Sequence, residues 1–304
     1  MTNVFSIGSL NMDVVYQVSA LPKPGETIQS LSRKLFPGGK GANQAVAAAR
    51  SGGSVWMIGA VGDDSYGEAL LSALQADGIR TETVHPTEGD TGTAFITVDA
   101  HAENHIVLAA GANGRLSPSD IPEWIWGEAA MIMLQNEIPW PVNWHVLESA
   151  RKRGIPVIMN AAPAMHIEEE AFPLIPILVV NETELEAISG QRVRDLADAR
   201  AAAGMLIVRG VNNVLVTLGS QGSLWVAHGE EEFWTPAFRV EPVDTTAAGD
   251  TFIGAFAAEY ASGAPVQQAL RFASAAAAIA VTREGAQISV PRREEILHFM
   301  EQRG

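Results

Sequence analysis

Short apolar runs and amphipathic stretches alternate along most of the chain, and each spacing predicts one kind of element. Val4 to Leu10 is an apolar run that predicts a short buried strand ending at Gly8-Ser9, with Asn11 and Asp13 next to it. Val14 to Val18 alternates as a second strand. Pro22, Pro24 and Gly25 form a turn, and Leu31 to Phe36 is a further early strand. Gly38, Gly39 and Gly41 then open an Ala-rich helix that ends at Gly52-Gly53. Val55 to Val61 is a strand, Gly62-Asp63-Asp64 caps a helix from Ser65 to Ala76, and Asp77-Gly78-Ile79 turns out of it. Thr93 to Asp99 and His105 to Ala109 predict a hairpin joined at Ala100 to Asn104.

From there strands and helices alternate. Met131 to Leu134 is a strand ending at Gln135-Asn136-Glu137, and Trp140 to Arg153 is an amphipathic helix. Strands follow at Ile155 to Asn160 and Ile177 to Val180. Asn181-Glu182-Thr183-Glu184 caps a helix to Ser189. Arg194 to Met205 is a helix, Asn213 to Thr217 a strand, and Leu224 to Ala227 with Glu232 to Thr235 an antiparallel edge pair. Phe238, Val240 and Val243 read as a strand before the apolar helix Phe252 to Tyr260. Val266 to Val281 and Glu294 to Gln302 are closing helices. Repeated βα units imply an α/β fold, a mostly parallel sheet covered by helices on both faces. The early strands do not keep that rhythm and predict a small separate sheet that acts as a lid.

Composition narrows the classes. With 304 residues, 47% of them hydrophobic, the chain can bury a sizeable core, and no linker divides it. The formal net charge of -15 disfavours nucleic acid or an anionic membrane as main partner, though not a nucleotide. The absence of cysteine excludes disulfides, thiolate catalysis and cysteine metal sites. Met1 to Asp13 has no basic n-region and no apolar run approaches a membrane span, so a soluble cytoplasmic protein is expected. Seven Trp, including Trp124, Trp126, Trp140 and Trp144, read as packing. Seven His show no metal spacing, and Glu230 to Glu232 reads as a solvated turn.

The densest chemistry lies in Asp244-Thr245-Thr246-Ala247-Ala248-Gly249-Asp250-Thr251-Phe252. Small residues at a helix start let the amides of Ala247, Ala248 and Gly249 converge on an anion, where the helix dipole also favours negative charge. Asp250, in the first turn, can take a proton from an attacking hydroxyl while those amides stabilise a transferred phosphoryl group. The plainer reading is a capped helix with an Asp that suits its dipole. Gly38-Gly39-Lys40-Gly41-Ala42-Asn43-Gln44 is not a Walker A loop, because Gly41 follows Lys40 and position 34 is Lys; nor does it contain a dinucleotide Gly-x-Gly-x-x-Gly. Its glycines let backbone approach a ligand closely. Asn11, Asp13, Asn43 and Glu137 are acceptors and amides suited to polyol hydroxyls, and Lys40 alone is too little positive charge for a sugar phosphate.

Gly38 to Ala45, Asn181 to Glu184 and Asp244 to Phe252, in that order, resemble the signatures of the ribokinase family of sugar kinases. The resemblance extends from Ser9-Leu10-Asn11-Met12-Asp13 to Gly285-Ala286-Gln287. It implies a three-layer α/β/α core with a lid from roughly 11–37 and 93–110, all within one kinase unit of residues 1–304. It implies transfer of the γ-phosphoryl group of ATP to a primary hydroxyl of a free pentose, ribose at O5 foremost. The alternatives are deoxyribose or a nucleoside as substrate, or a non-catalytic sensor on the same fold, which intact Asp250 opposes. By resemblance Asp250 is the base and Ala247, Ala248 and Gly249 the anion hole. Asn11, Asp13, Gly39, Lys40, Asn43 and Glu137 bind the sugar. Asn181 and Glu184 lie near the nucleotide phosphates and Mg2+, Glu184 through water. Thr217, Gly219, Ser220 and Gly222 form a nucleotide loop, and Ser274 approaches the adenine. Asp244, Thr246, Ala280, Arg283, Gly285 and Ser289 supply K+ ligands, a role that hard oxygens suit. A homodimer through the lids is implied as well. Met12, Gln135-Asn136, Asn160-Ala161-Ala162-Pro163 and Ser274 depart from the family pattern.

Overall fold

A computed structural model describes residues 2–101, 103–229 and 232–303. The chain opens with β1 (Asn3–Ile7), β2 (Asn11–Gln17), β3 (Ser32–Gly38), α1 (Lys40–Arg50), β4 (Ser54–Gly62), α2 (Ser65–Ala76) and β5 (Arg80–Thr87). It continues through β6 (Gly92–Val98), β7 (Asn104–Ala109), α3 (Ile125–Glu128), β8 (Ala129–Gln135), α4 (Trp140–Arg153), β9 (Val157–Asn160), β10 (Ile177–Asn181), α5 (Glu182–Ser189) and α6 (Leu196–Val208). It ends with β11 (Asn213–Thr217), β12 (Ser223–Ala227), β13 (Phe233–Thr235), α7 (Ala248–Ala261), α8 (Val266–Ala280) and α9 (Arg293–Arg303).

Nine strands form one sheet in the order β13-β12-β11-β10-β9-β8-β1-β4-β5. All its pairings are parallel except β11 with β12 and β12 with β13, the antiparallel edge that the sequence predicts. Side chains alternate through it. Val4 and Met57 join a core with α1, α2, α7 and α8, while Phe5 and Ile58 face a second core with α4, α5 and α6. The result is the expected three-layer α/β/α arrangement. The remaining four strands form the lid sheet, in the order β3-β2-β6-β7. There β2 and β6 pair in parallel and the two outer pairings are antiparallel.

The connections place the site. From β1 the chain moves through β4 to β5 on one side, then returns to β8 and steps away to β13 on the other. The order reverses between β1 and β8, and such a switch point opens a crevice beyond the carboxyl ends of both strands.

Several expectations are corrected. Phe238, Val240 and Val243 lie in irregular chain rather than a strand, after the sheet has ended at β13. The strand β5 was not anticipated, because its buried positions include Thr81 and Thr83 and it contains Pro86. Proline is tolerated there because β5 is an edge strand. The helix expected from Arg194 starts at Leu196, capped by the Asp195 side chain, and runs to Val208. Part of the Glu230 to Glu232 run and of the 100–104 hairpin tip lies outside the described residues. Trp56 and Trp124 pack against Phe5, as expected of packing aromatics. No described helix is long and apolar enough to cross a membrane.

Candidate active site

The residues that leave the sheet at its carboxyl edge are polar. After β1 come Ser9 and Asn11; β8 ends at Gln135 with Glu137 beyond; β9 ends at Asn160, β10 at Asn181 and β11 at Thr217. The parallel register aligns them, Gln135 opposite Asn160 and Asn181 opposite Thr217. Helices α1 and α7 close over this edge at a crossing built on small residues. A Cβ on Gly254 would sit 2.4 Å from the Gln44 carbonyl and 2.5 Å from the Ala47 Cβ, so glycine sets the distance between the two helices. An added methyl there would cost about 1–3 kcal/mol in overpacking.

That crossing brings Asp250 against the start of α1. Its side chain is buried and accepts two amide hydrogen bonds. Asn43 Nδ2 donates to Oδ2 at 3.1 Å, and Gln44 Nε2 donates to Oδ1 at 3.0 Å. Gln287 Nε2 donates to the Asn43 Oδ1 at 3.2 Å and so fixes which end of that amide faces Asp250. Residues 206 or more positions apart in sequence thus meet around one carboxylate.

Asn11, Asp13, Gly39, Lys40, Asn43 and Glu137 gather on the same side. Glu137 Oε2 accepts from the Ser9 hydroxyl at 2.5 Å and from the Lys40 backbone N–H at 3.0 Å, pinning the start of α1 to the end of β8. Asn11 is held by Asn113, whose Nδ2 donates to Asn11 Oδ1 at 2.8 Å and whose Oδ1 accepts from the Leu10 N–H. Gly39 has φ +89, and a Cβ on it would meet the Asn11 nitrogen at 2.7 Å and the Ser9 carbonyl at 2.8 Å. A Cβ on Gly38 would strike the Asp13 carboxylate at 2.3 Å. The glycines therefore admit this chain's own backbone and carboxylate at close range. Met12, between Asn11 and Asp13 on β2, points the other way into the core, so its departure from the family pattern does not touch this face.

Electrostatics follow from the crowding. Burial, then the nearby charges of Glu137 and Asp250, push the Asp13 carboxyl up to about 7. The Lys40 ammonium is raised, chiefly by Asp250 and further by Glu137 and Glu184, against the opposing effect of its burial. Burial likewise raises Glu184. Lys40 thus lies in the electrostatic field of three carboxylates, Glu184 among them.

Where β10 passes into α5, Asn181 and Glu184 form a capping box. Asn181 Oδ1 accepts the Glu184 N–H at 2.8 Å, and Glu184 Oε2 accepts the Asn181 N–H at 2.9 Å. Beside them the chain leaves β11 through a tight turn over Gly219–Gln221, with Gly219 and Gly222 at φ +51 and +107. Thr217 and Ser220 lie on this turn and its approach. Ser274 is buried on α8 and makes none of the hydrogen bonds that join the carboxylate cluster.

At the N-terminus of α7 the structure differs from expectation in one detail. Ala247 has φ +57, a left-handed conformation rare for a residue with a Cβ. It folds the chain so that the Ala248 N–H donates to the Thr245 carbonyl at 3.2 Å. The amides with no partner among the described residues are therefore those of Ala247, Gly249 and Asp250. Upstream, Asp244 Oδ1 accepts from the Thr246 N–H and hydroxyl at 2.9 and 2.6 Å, and Oδ2 accepts from the Gly285 N–H at 2.9 Å. Although burial opposes it, these bonds hold the Asp244 carboxyl below its usual range. Arg283 N–H donates to the Ala280 carbonyl at 3.0 Å, and Ser289 is fully buried with its hydroxyl on the Ala286 carbonyl. Asp244, Thr246 and Gly285 are joined directly; Ala280, Arg283 and Ser289 lie on the adjoining segment.

Sequence reasoning missed Ser9, Gln44, Asn113, Gln135, Asn160 and Gln287 as parts of the site. All but Asn113 stood inside stretches already singled out, yet none was given a role, because their partners lie far away in the chain.

A carboxylate held at a helix N-terminus, free amides beside it and a wall of hydroxyl acceptors make a phosphoryl-transfer site for a polyol. Comparison with known proteins agrees. A family model described as pfkB family carbohydrate kinase matches residues 1–293, and the chain belongs to that family. It is 40% identical over 298 residues to the ribokinase of Haemophilus influenzae, covering 97% of each chain. It is 39% identical over 298 residues to the deoxyribokinase of Salmonella typhimurium, again covering 97% of each. The structure of Arabidopsis thaliana ribokinase complexed with ribose and ATP is similar at a TM-score of 0.93 and 33% identity, covering 99% of this chain and 98% of that one.

Proposed function

We propose that the protein transfers the γ-phosphoryl group of ATP to the O5 hydroxyl of free D-ribose. The observation that carries this reading is the placement of Asp250: a buried carboxylate, oriented by two amides, beside unpartnered amides at the start of α7 and close enough to act on the charge of Asp13. Asp250 takes the proton of the attacking hydroxyl at its carboxylate. Ala247 and Gly249, with the Asp250 amide, face the charge that develops on the phosphoryl oxygens. Asn11, Asp13, Asn43 and Glu137 orient the sugar, while Gly39 and the Lys40 backbone shape the wall. The charge of Lys40 is already answered by the fields of Asp250, Glu137 and Glu184, and no second cation stands with it to receive a sugar phosphate among the residues of this wall.

The residues present fit the expected cofactors. Glu184 commits Oε2 to its cap and leaves Oε1 outside that bond, a hard oxygen suited to Mg2+ through water; the ion neutralises phosphate charge when bound. Asn181, Thr217, Gly219, Ser220 and Gly222 line the adjoining strand ends, suited to the nucleotide, with Ser274 toward its base. Asp244, Thr246, Ala280, Arg283, Gly285 and Ser289 fit K+, with Asp244 arranging the loop rather than offering a free oxygen. A homodimer through the lids belongs to the same proposal. Strand β7 is exposed along its length on both faces: Val107 lies bare in the row of Phe95 and Leu35, while Ile106 and Leu108 are bare on the opposite face, where Val15 is partly covered. A cytoplasmic location is included, since the reaction consumes ATP.

The 39% identity to a deoxyribokinase favours a second substrate, 2-deoxyribose, at the same site. ADP release measured with ribose, 2-deoxyribose and a set of nucleosides separates these readings. The highest kcat/KM is expected for ribose. A nucleoside as best acceptor, or no acceptor-dependent release, contradicts the proposal.

A further inference from the structure

Gln44, Gln135 and Asn160 form a buried chain of amides that ends on Asp250. Gln44 and Gln135 have no solvent exposure and Asn160 almost none. Gln135 Nε2 donates to Gln44 Oε1 at 2.8 Å, and Gln44 Nε2 donates both to Asp250 Oδ1 at 3.0 Å and to Asn160 Oδ1 at 3.1 Å. The polarity of this chain is fixed at two places. Asn160 Nδ2 donates to the Val179 carbonyl at 3.3 Å, and a backbone carbonyl can only accept. Asn160 must then turn its oxygen toward Gln44. An ionised Asp250 can also only accept. Both neighbours therefore require Gln44 to present its NH2 group, its oxygen turns to Gln135, and Gln135 must answer with its own NH2 group.

The chain leaves one group without a partner. Gln135 Oε1 is buried and accepts no hydrogen bond. It lies where a Cβ on Gly8 would sit only 1.9 Å away, so the main chain just beyond β1 packs close against it. A buried acceptor without a partner is costly, and an apolar side chain of the same length would avoid it. The glutamine makes sense as the donor that keeps Gln44 from rotating its oxygen toward the carboxylate.

We infer that Gln44 is the positioning residue for the catalytic base: locked by Asn160 and Gln135, it holds an N–H on Asp250 Oδ1 and fixes the carboxylate for proton transfer without touching the sugar itself. The inference rests on the reading of Asp250 as base. Asn43 performs the matching task at Oδ2. A rigid base set by two amides from one helix is oriented before substrate arrives, which is where positioning contributes to rate.

The test compares Gln44→Met, Gln135→Met, Asp250→Asn and the Gln44→Met/Asp250→Asn double variant by steady-state ADP release with ribose, alongside thermal unfolding. Gln44→Met removes the donor at similar volume; kcat is expected to fall roughly ten- to hundredfold, the scale of general acid–base contributions, with KM for ribose and ATP little changed. Gln135→Met is expected to melt close to the wild type yet to lower kcat by a smaller factor, about threefold or more. In the Asp250→Asn background, Gln44→Met is expected to add no further loss, because both act through one group. A wild-type kcat in Gln44→Met, a loss expressed mainly in the ribose KM, or a full multiplicative loss in the double variant overturns the inference. Should Gln44→Met not fold, a wild-type kcat in Gln135→Met does so instead. Near wild-type turnover in Asp250→Asn would defeat the base reading itself, whereas a crippled Asp250→Asn beside an unaffected Gln44→Met defeats only the role given to Gln44.

Discussion

Asp13 shows how a single half-buried carboxyl can report on substrate. With no sugar bound it titrates at about 7, raised by burial and by Glu137 and Asp250, against an ordinary value of 3.8. Between those two values the folded protein holds a proton that the unfolded chain has lost. The contribution of Asp13 to stability therefore falls as pH rises from about 4 to about 7 and is flat above. Sugar binding runs the other way, because hydroxyl donors favour the ionised carboxylate. Ribose affinity is expected to rise with pH from about 5.5 to about 8, near tenfold per unit at the acid end, with proton release on binding near neutrality. Calorimetric titration of ribose across that range checks this, and pH-independent affinity contradicts it. Much of this face was legible in the sequence, since Asn11 and Asp13 stand beside a predicted strand and Asp250 in a predicted first turn. The amides were not. A lone Gln135, Asn160 or Gln287 carries no local signal, and each acquires a role only when the sheet and α1 bring it to a carboxylate far away in sequence.

Among the elements, the segment from Asp244 to Asp250 has the most to organise. Asp244 ties Thr246 at one end to Gly285 at the other, and the next residues include the strained Ala247 and the free amides. From Gly285 the chain continues to Gln287, whose side chain holds Asn43 against Asp250. An ion that orders 280–289 would therefore steady both the amides and the base. Potassium is expected to raise kcat roughly fivefold or more over tetramethylammonium at equal ionic strength, within the usual range of coupling between sites, and Asp244→Ala to abolish the difference. Equal rates in the two salts contradict the assignment. The helices here were readable from composition, because the small residues of α7 and α8 keep a helical spacing. The irregular stretch before α7 was not. Phe238, Val240 and Val243 make a strand-like apolar run, but β13 already forms the edge of the sheet and none of the three residues pairs with it. β5 escaped notice for the opposite reason, because threonines took the buried positions where apolar residues would have signalled a strand.

Across the whole molecule, a nine-stranded sheet supplies a rigid floor and a four-stranded sheet stands over its switch point. Both were legible, the large sheet from its βα rhythm and the lid from early strands that break it, although the parallel pairing of β2 with β6 was not. The outer strand of the lid is bare along its length, and two-fold pairing is the commonest way to cover such a face. A homodimer is expected at micromolar concentration, with Val107→Glu at the exposed face shifting the mass toward the monomer. Light scattering reads both, and a wild-type monomer unaffected by ribose and nucleotide contradicts the lid interface. The central claim, phosphoryl transfer from ATP to ribose at the Asp250 site, is tested most directly by the phosphorus NMR spectrum of a reaction mixture of protein, ATP, Mg2+ and ribose. The expected result is one phosphomonoester on the C5 oxygen of the sugar for every ADP formed. Inorganic phosphate in place of the ester, an ester at C1, or ATP left unconsumed would contradict it.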